Sequence, residues 1–393
     1  MKTLSKVLTS FLCISAASSS IAYESLDERL ETLEKEMREI SAQTPQERLG
    51  IDFASARPEV EGQKAFISFD ILYWHPKVGG TDYAYSAQIQ SRTVTVPGAG
   101  STVVLLPARK GEVKHNDLDW EWGFKVGLGC NVPHDGWDIY GQYTWYNPDS
   151  TQSSTKAPPS GLLPLRQFGE IVALKAKSSF EIDYDNLDVE HGRSYFTSAY
   201  LSFRPFIGVK TTWLDLYQRI TYVASPLNDI VFPGQFDTTG FDFKSKGSSK
   251  LWGIGPRVGL NSRWHLGSGF SYFGDVATSI LYGYFKTFHH EFFPPHIDVN
   301  DANGNLFKIR TKKHLFIPFM QMFTGLEWDG YVNHKNQHIR LKLGYEVQYY
   351  WRANQIQQPE DASGTSPTLR VDYEPFSDDV MFYGITGEFR LDF

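Results

Sequence analysis

The chain has 393 residues and a formal net charge of −7 at pH 7, and this acidic balance argues against nucleic acid as a partner. No stretch provides the roughly 18 consecutive apolar residues that a membrane-spanning helix requires, so any membrane span must be made of strands. Aromatic residues make up 15% of the sequence while its mean hydropathy is slightly polar, as expected where aromatic girdles and lipid-facing positions share strands with a wet lumen.

The first 22 residues predict a signal peptide. Lys2 and Lys6 precede a largely apolar run over residues 7–17, and residues 20–22 fit the small-x-small pattern before a cleavage point. Removal of this leader lowers the net charge from −7 to −9 and leaves Cys130 as the single cysteine. Internal disulfides therefore cannot stabilise the exported chain, which needs a closed hydrogen-bonded framework or a large core.

Residues 23–43 predict a short, coiled-coil-like periplasmic helix. Its apolar seam, at alternating spacings of four and three, consists of Leu26, Leu30, Leu33, Met37 and Ile40. Two interpretations stay open: residues 24–43 join subunits into a homo-oligomer such as a trimer, or the helix packs on its own barrel. Pro45 ends the helix, and residues 44–63 predict a linker.

Segments of alternating character recur from residue 64 to the C-terminus. In the last one, the odd positions from Met381 to Phe393 are apolar apart from one glycine, and most of the even positions from Phe382 to Asp392 are polar. This pattern is typical of a strand with lipid outside and water inside. We predict ten strands, at 64–75, 117–128, 137–147, 176–190, 198–213, 248–262, 274–288, 311–327, 339–350 and 379–393.

The gaps between these strands alternate in length. The long gaps are 76–116, 148–175, 214–247, 289–310 and 353–378, and the short ones are 131–136, 191–197, 263–273 and 328–336. Long loops on one side and short turns on the other are typical of a bacterial outer-membrane barrel. Two long gaps have further strand character, at 83–89 with 103–106 and at 215–222 with 241–244. These segments would either extend existing hairpins or raise the strand number.

The polar faces of the strands supply candidate pore-lining residues. A diffusive pore needs a polar constriction whose fixed charges set the ion preference. The candidates are Asp117, Asp119, Glu121, Lys125, Glu181, Asp183, Asp185, Arg204, Lys210, Arg257, Arg340, Lys342 and Glu346. Acidic candidates concentrate in the N-terminal half and basic ones later, which predicts opposing walls of opposite sign. The alternative is that the charges pair across a packed lumen, because small barrels fill their interior with side chains.

No catalytic, cofactor or metal site is predicted. His289, His290, Glu291 and His296 match no established metal spacing. A calcium-like segment that starts at Asp298 has Ile309 at the position where a bidentate Glu is required. No serine stands in a recognisable nucleophile context, so we do not predict an enzyme.

Several motifs resemble the Legionella-type major outer membrane proteins. They are FDILYW at 69–74 with GTDYA at 80–84, WGFKVGLG at 122–129, PHDGWD at 133–138, RPFIGV at 204–209, WGIGPRVGL at 252–260 and GYEVQ at 344–348. The resemblance runs from about residue 65 to residue 393, and related porin-like proteins occur in environmental chlamydiae. It implies a pore-forming outer-membrane barrel and brings no substrate or functional residues to transfer. The chlamydial porins proper are often cysteine-rich and this chain is not, which argues against a disulfide-crosslinked surface network.

The sequence therefore predicts an all-β protein of the bacterial outer membrane, an antiparallel transmembrane β-barrel of about 10 to 12 strands over residues 64–393. Its expected function is that of a porin, a passive diffusion channel for small hydrophilic solutes, with outer-membrane lipid around it. One alternative is a surface adhesin or structural outer-membrane barrel with a plugged lumen. Another is a soluble secreted β-sandwich.

Overall fold

Alternating apolar and polar side chains decide the secondary structure of this chain, because successive residues of a strand point to opposite faces. The computed structural model describes residues 57–58, 65–96, 100–132, 137–166, 172–198, 200–228, 242–292, 305–332, 337–361, 371–374 and 377–393. The elements bounded within these ranges are β-strands. The predicted signal peptide, the predicted helix 23–43 and most of the predicted linker lie outside the described residues. None of the helical structure in the described part is long and apolar enough to cross a membrane.

Ten strands form a closed antiparallel barrel, as predicted for the lower end of the expected strand number. They are β1 (Ala65–Val78), β2 (Glu121–Asn131), β3 (Trp137–Tyr146), β4 (Ala173–Arg193), β5 (Leu201–Ala224), β6 (Asp242–Gly267), β7 (Phe270–Phe292), β8 (Asn305–Val332), β9 (Gln337–Asn354) and β10 (Asp378–Asp392). Each strand pairs with the next one in the chain.

The first and last strands close the barrel. Val380 of β10 lies opposite Val78 of β1, and Asp392 lies opposite Phe66 at the other end of the same pairing. The backbone N–H of Phe393 donates to the carbonyl oxygen of Ala65 at 2.9 Å. Closure satisfies the backbone groups that a sheet edge would leave open, and this is what allows a sheet to cross a lipid bilayer.

The further strands predicted in the long gaps do not enlarge the barrel. Ala84–Val96 and Gly100–Lys114 form a hairpin beside the wall, and its first strand also pairs with Ser160–Pro164. The segment around 215–222 belongs to β5, which continues its pairing with β6 as far as Val223 opposite Asp242. Three short elements complete the set: Asp149–Thr155 pairs with β4, Arg57–Pro58 pairs with Tyr195–Ser198, and Gln358–Asp361 pairs with Val371–Glu374.

The connections sort by length between the two ends of the barrel. At one end β6 and β7 are separated by only Ser268 and Gly269, and both Ser268 and Gly269 adopt positive φ angles of 56° and 80°. At the other end the five connections after β1, β3, β5, β7 and β9 are long. In outer-membrane barrels long loops face the cell exterior, so we call the two ends the loop end and the turn end.

Apolar side chains change faces along the strands. On β4 the inward side chains of Phe180, Ile182 and Tyr184 are fully buried near the loop end, whereas Val189, nearer the turn end, points outward and is 40% exposed. On β5 Leu214 is likewise buried inside, while Ile207 points outward. The loop half of the barrel therefore encloses an apolar core as a water-surrounded protein does, and the turn half has lipid outside and a polar interior.

Candidate functional site

The loop half of the interior is filled by an apolar plug. Its members come from all around the wall and from the loops: Leu72, Trp74, Val78, Leu118, Tyr146, Phe180, Ile182, Tyr184, Leu214, Leu216, Leu251, Leu281, Phe285, Ile317, Phe319, Tyr350, Ala353, Ile356, Val380 and Phe382. The ring centroids of Tyr184 and Phe382 are 4.7 Å apart, and those of Phe319 and Tyr350 are 4.5 Å apart. Contacts at these distances between fully buried rings close the lumen at this level.

Loop segments are fastened above the plug by hydrogen bonds to the wall. Asn116 donates to the carbonyl oxygen of Ser178 at 3.2 Å and accepts from its hydroxyl at 2.6 Å. The Arg166 guanidinium donates to the carbonyl oxygens of Gly80 and Asp82, and burial lowers the pKa of this side chain to about 10. In the outer hairpin, the hydrogen bond from Lys114 and its charge lower the pKa of Glu112. These hydrogen bonds tie the segments that contain Asn116 and Arg166 to other parts of the loop end.

The turn half of the interior is charged, and one of its deeply buried ion pairs joins β2 to β9. The Lys125 ammonium donates to both carboxylate oxygens of Glu346, at 2.6 and 2.7 Å, and the two side chains are 3% and 0% exposed. Glu346 also accepts from Gln321 at 2.7 Å and from Thr386 at 2.9 Å. A carboxylate this far from bulk water persists in its charged form only because its oxygens are saturated with donors.

A second charged group joins β4 to β5 and β6. Lys210 contacts Asp188 at 3.3 Å, and Arg257 donates to Glu190 at 3.1 Å. Arg204 donates to Asp138 of β3 and lies 3.3 Å from Glu190. Acidic side chains from β3 and β4 therefore face basic ones from β5 and β6.

A third charged group lies nearer the turn end. Glu327 of β8 contacts Arg263 at 3.2 Å and Arg340 at 3.3 Å. Lys342 of β9 contacts Asp275 at 3.1 Å and Glu388 at 3.6 Å. Ion pairs thus link the successive strands from β6 to β10 on the inner face of the wall, in the half of the barrel that lipid surrounds.

A cavity of about 110 Å³ lies among these charges. Its lining includes seven basic side chains, Lys125, Arg204, Arg257, Arg263, Arg340, Lys342 and Arg390, and five acidic ones, Asp70, Asp138, Glu190, Asp275 and Glu388. Three buried lining atoms, Asp70 Oδ1, Asp275 Oδ1 and Arg257 Nη1, have no hydrogen-bond partner among the described residues. Such atoms need water, and the cavity has room for several molecules.

The structure places the thirteen pore-lining candidates in different environments, some inside the barrel and some outside it. Seven of them are buried or mostly buried and point into the charged half: Lys125, Arg204, Lys210, Arg257, Arg340, Lys342 and Glu346. Glu121 is half-buried at the loop end of β2. That these residues line an open pore stays a prediction.

The placement of the other five candidates was wrong. Asp117 and Asp119 are exposed in the segment before β2, and Leu118 between them is buried in the plug rather than facing lipid. Glu181, Asp183 and Asp185 alternate with buried plug residues and point outward. The prediction places the apolar face of each strand on the outside of the barrel along the whole strand. Above the membrane, however, the apolar face of the strand points into the barrel.

The sequence reasoning also missed interior charges. These are Asp70, Asp138, Asp188, Glu190, Asp275, Glu327, Glu388 and Arg390. Asp188 and Glu190 had a readable signal, because the apolar positions on β4 switch from even to odd numbers at Asn186 and Leu187. Below that switch the even positions are the polar, inward ones.

The histidine-rich segment weighed as a metal site belongs to a strand and not to a loop. His289 and Glu291 lie on β7, and the two buried side chains are joined at 2.9 Å. His296 lies outside the described residues. Within the described ranges, no group of three or more His, Cys, Asp or Glu side chains could hold a metal ion.

Comparison with known proteins places most of the chain in one family. Residues 58–393 match the family model described as Legionella pneumophila major outer membrane protein precursor. No curated protein matches the chain. Two similar solved structures are the outer membrane protease OmpT from Escherichia coli, with 10% identity over 86% of this chain and 97% of that chain at a TM-score of 0.38, and the toluene transporter TodX from P. putida, with 9% identity over 87% and 90% at a TM-score of 0.25. At these scores neither likeness carries an argument about function.

Proposed function

The chain belongs to the Legionella major outer membrane protein family, and on this premise we propose that it is a narrow diffusion channel for small hydrophilic solutes, closed at its loop end in the conformation described above. The observation that carries the proposal is the charge-lined cavity in the lipid-surrounded half of the barrel, with buried polar atoms that have no hydrogen-bond partner among the described residues. Ionisable side chains at membrane depth are costly and mark ion or solute pathways.

The free-energy cost of burying charged side chains supports a solute pathway in the turn half over a lumen that is simply filled with side chains. A buried ion pair is often no more stable than well-packed apolar side chains of similar volume. The loop half shows that this chain can fill its lumen with apolar side chains, as it does around Tyr184 and Phe382. The turn half instead keeps basic and acidic side chains next to a cavity, an arrangement that suits passage of small polar solutes.

Passage through this channel requires the plug to move. Leu118 and Ile356 are the natural moving parts, because they reach the plug from segments between strands while most other members are fixed in the wall. Their displacement leaves the hydrogen bonding of the barrel intact. We therefore expect small current steps from short-lived open states and not a permanently open pore.

A second candidate function is a structural or adhesive barrel that conducts nothing. The plug favours it directly, since Trp74, Tyr184, Tyr350, Phe319 and Phe382 are all 0% exposed. In that case the charged half serves only to hold neighbouring strands together, and the long loops carry the function.

Conductance in planar bilayers separates the two functions. We expect the refolded protein to give rare, small steps and the double variant Leu118→Ser/Ile356→Ser to give more frequent ones, because a polar side chain weakens the plug. The control Val113→Ser/Leu165→Ser also replaces two apolar side chains by serine, but at exposed positions outside the plug, and should behave as the parent chain. Silence of all three proteins, each with the heat-modifiable gel migration of a folded barrel, would establish the structural function instead.

A further inference from the structure

The outer face of three neighbouring strands carries a dense group of positive charges near the loop end. Seven basic side chains on β6, β7 and β8 point outward and are exposed: Lys244, Lys246, Lys250, Lys286, Lys308, Arg310 and Lys312. We call this surface the basic wall. Among the described outward positions of these strands at this level, Asp242 at the start of β6 is the one acidic residue.

The basic wall begins directly above the membrane. Trp252 of β6 lies opposite Tyr284 of β7, and Tyr284 lies opposite His314 of β8. Two residues closer to the loops, about 6.6 Å along the strands, the next row of opposite residues is Lys250, Lys286 and Lys312. Tryptophan and tyrosine mark the boundary between lipid chains and water, so this row lies at the level of the lipid headgroups.

Like charges stand opposite one another in this row, which destabilises a sheet unless a counter-charge is present. Lys250 has one, because its ammonium contacts Asp215 of β5 at 2.8 Å. Lys286 and Lys312 form no salt bridge with any described residue, and the same holds for Lys308 and Arg310. Among the described residues, the wall therefore has more positive charge than nearby negative charge can balance.

An aromatic ring holds two of the upper cations in place. Phe288 of β7 lies opposite Arg310, and the Lys308 ammonium and the Arg310 guanidinium are 5.5 and 5.7 Å from its ring centroid. These contacts keep both cations on the wall near Lys312.

Positive charge is not a general property of this level of the barrel. On β4 and β5, the next strands around the wall, the outward residues Glu181, Asp183, Asp185 and Asp215 are acidic. Around the row of Lys250 the outer face thus has a basic sector beside an acidic one, whereas closer to the loops β4 and β5 also carry exposed basic side chains, Lys175, Lys177 and Arg219. In the row at headgroup level, where Asp183 and Asp215 continue into Lys250, Lys286 and Lys312, a uniform need for solubility would not separate the two signs in this way.

We propose that the basic wall binds the phosphate groups of the phosphorylated glycolipid of the outer leaflet, lipopolysaccharide. The wall stands outside the membrane boundary at headgroup depth, where that lipid places its phosphates. Its lysines and arginine supply the positive charge and hydrogen-bond donors that phosphate oxygens accept. The lipid headgroup supplies a counter-charge to Lys286 and Lys312, for which the described residues provide none. This interaction is independent of whether the lumen conducts.

Native mass spectrometry of the detergent-purified full chain tests the proposal by titration with bis-phosphorylated lipid A. We expect the variant Lys286→Gln/Lys312→Gln to bind about twenty-five-fold more weakly, since each basic side chain near an anionic lipid surface contributes roughly fivefold. The control Arg92→Gln/Lys110→Gln removes the same charge from exposed positions of the outer hairpin and should bind as the parent chain. Dephosphorylated lipid A and phosphatidylethanolamine should not distinguish the proteins.

Three results would overturn the proposal. Equal lipid A affinity of the parent chain and the wall variant shows that the wall does not contribute. An equal loss with dephosphorylated lipid A, or full competition by millimolar inorganic phosphate, shows contact with acyl chains or capture of free phosphate instead. Each variant must show the gel migration of a folded barrel; if the first pair does not fold, Lys308→Gln/Arg310→Gln on β8 alone answers the same question.

Discussion

At the scale of single residues, the contact between Lys125 and Glu346 is the clearest test of the charged interior. Removing one member of a buried ion pair leaves an uncompensated charge, whereas removing both can be nearly neutral. We expect Lys125→Met to lower the free energy of unfolding by about 3 kcal/mol, and Lys125→Met/Glu346→Gln to recover most of that loss. Urea unfolding in detergent micelles, followed by tryptophan fluorescence, measures both.

The control for this pair is Lys110→Met, which makes the same change at an exposed position of the outer hairpin. Its effect should stay within about 0.5 kcal/mol, as for ordinary surface substitutions. A single variant at Lys125 as stable as this control would mean that Glu346 is satisfied by Gln321, Gln348 and Thr386 without the ammonium.

Residue types alone could not separate interior charges from surface charges. Lys125 and Asp183 both sit at alternate positions of strands with apolar neighbours, yet one is 3% exposed inside the barrel and the other points outward. What differs is depth relative to the membrane, and depth is a property of the strand's place in the bilayer. The sequence indicates this depth only where the apolar residues of one strand switch from even to odd positions, as they do on β4.

At the scale of elements, β4 itself can test the change of faces. Asp183 and Val189 are both outward, six residues apart, with Asp183 near the loop end and Val189 in the lipid-facing part. We expect Val189→Arg to destabilise the barrel by about 2 kcal/mol, because a charge on the lipid face at membrane depth costs roughly that much. Asp183→Arg should change stability far less, since that position lies outside the lipid chains.

Refolding into lipid vesicles over a urea series measures both variants of β4 under one condition. The comparison is matched, since both substitutions place arginine on the outer face of one strand. Equal destabilisation of the two variants would contradict the placement of the membrane boundary between them.

The strands themselves were largely predictable. All ten predicted segments overlap the ten barrel strands, because alternation over eight or more residues is a strong local signal. The sequence also predicted the sorting of long and short connections. It left open whether the segments at 215–222 and 241–244 extend a hairpin or add strands: β5 runs to Ala224, beyond the first predicted segment that ended at residue 213, so the hairpin is extended. Above the membrane the apolar side chains point inward and the polar ones outward. A strand prediction that requires an apolar outer face therefore ends at the membrane boundary.

At the scale of the whole molecule, the closure of the barrel wall and the filling of its lumen have different origins. Closure follows from chain length and strand number, which the sequence shows through its alternating segments and even strand count. Filling depends on side chains from many strands that meet in the middle, such as Trp74, Tyr184 and Phe382. Those three residues are more than 100 positions apart in sequence, so no local pattern could show that they close the lumen.

The balance of charge around the cavity gives a prediction for the molecule as a whole. Seven basic and five acidic side chains line it, so a conducting state should weakly prefer anions. Lys342→Gln/Arg390→Gln equalises the two signs at five each and should move the reversal potential under a salt gradient toward zero.

The outer face supplies the control for this last prediction. Lys286→Gln/Lys312→Gln removes the same charge from the basic wall, outside the lumen, and should leave the reversal potential unchanged because lipid and the barrel wall separate these residues from the conduction path. A larger shift from the wall variant than from the lumen variant would mean that ions follow a path other than the cavity. Equal, unchanged potentials in a conducting protein would remove Lys342 and Arg390 from the path and leave their contacts with Asp275, Glu388 and Asp392 as structural ion pairs.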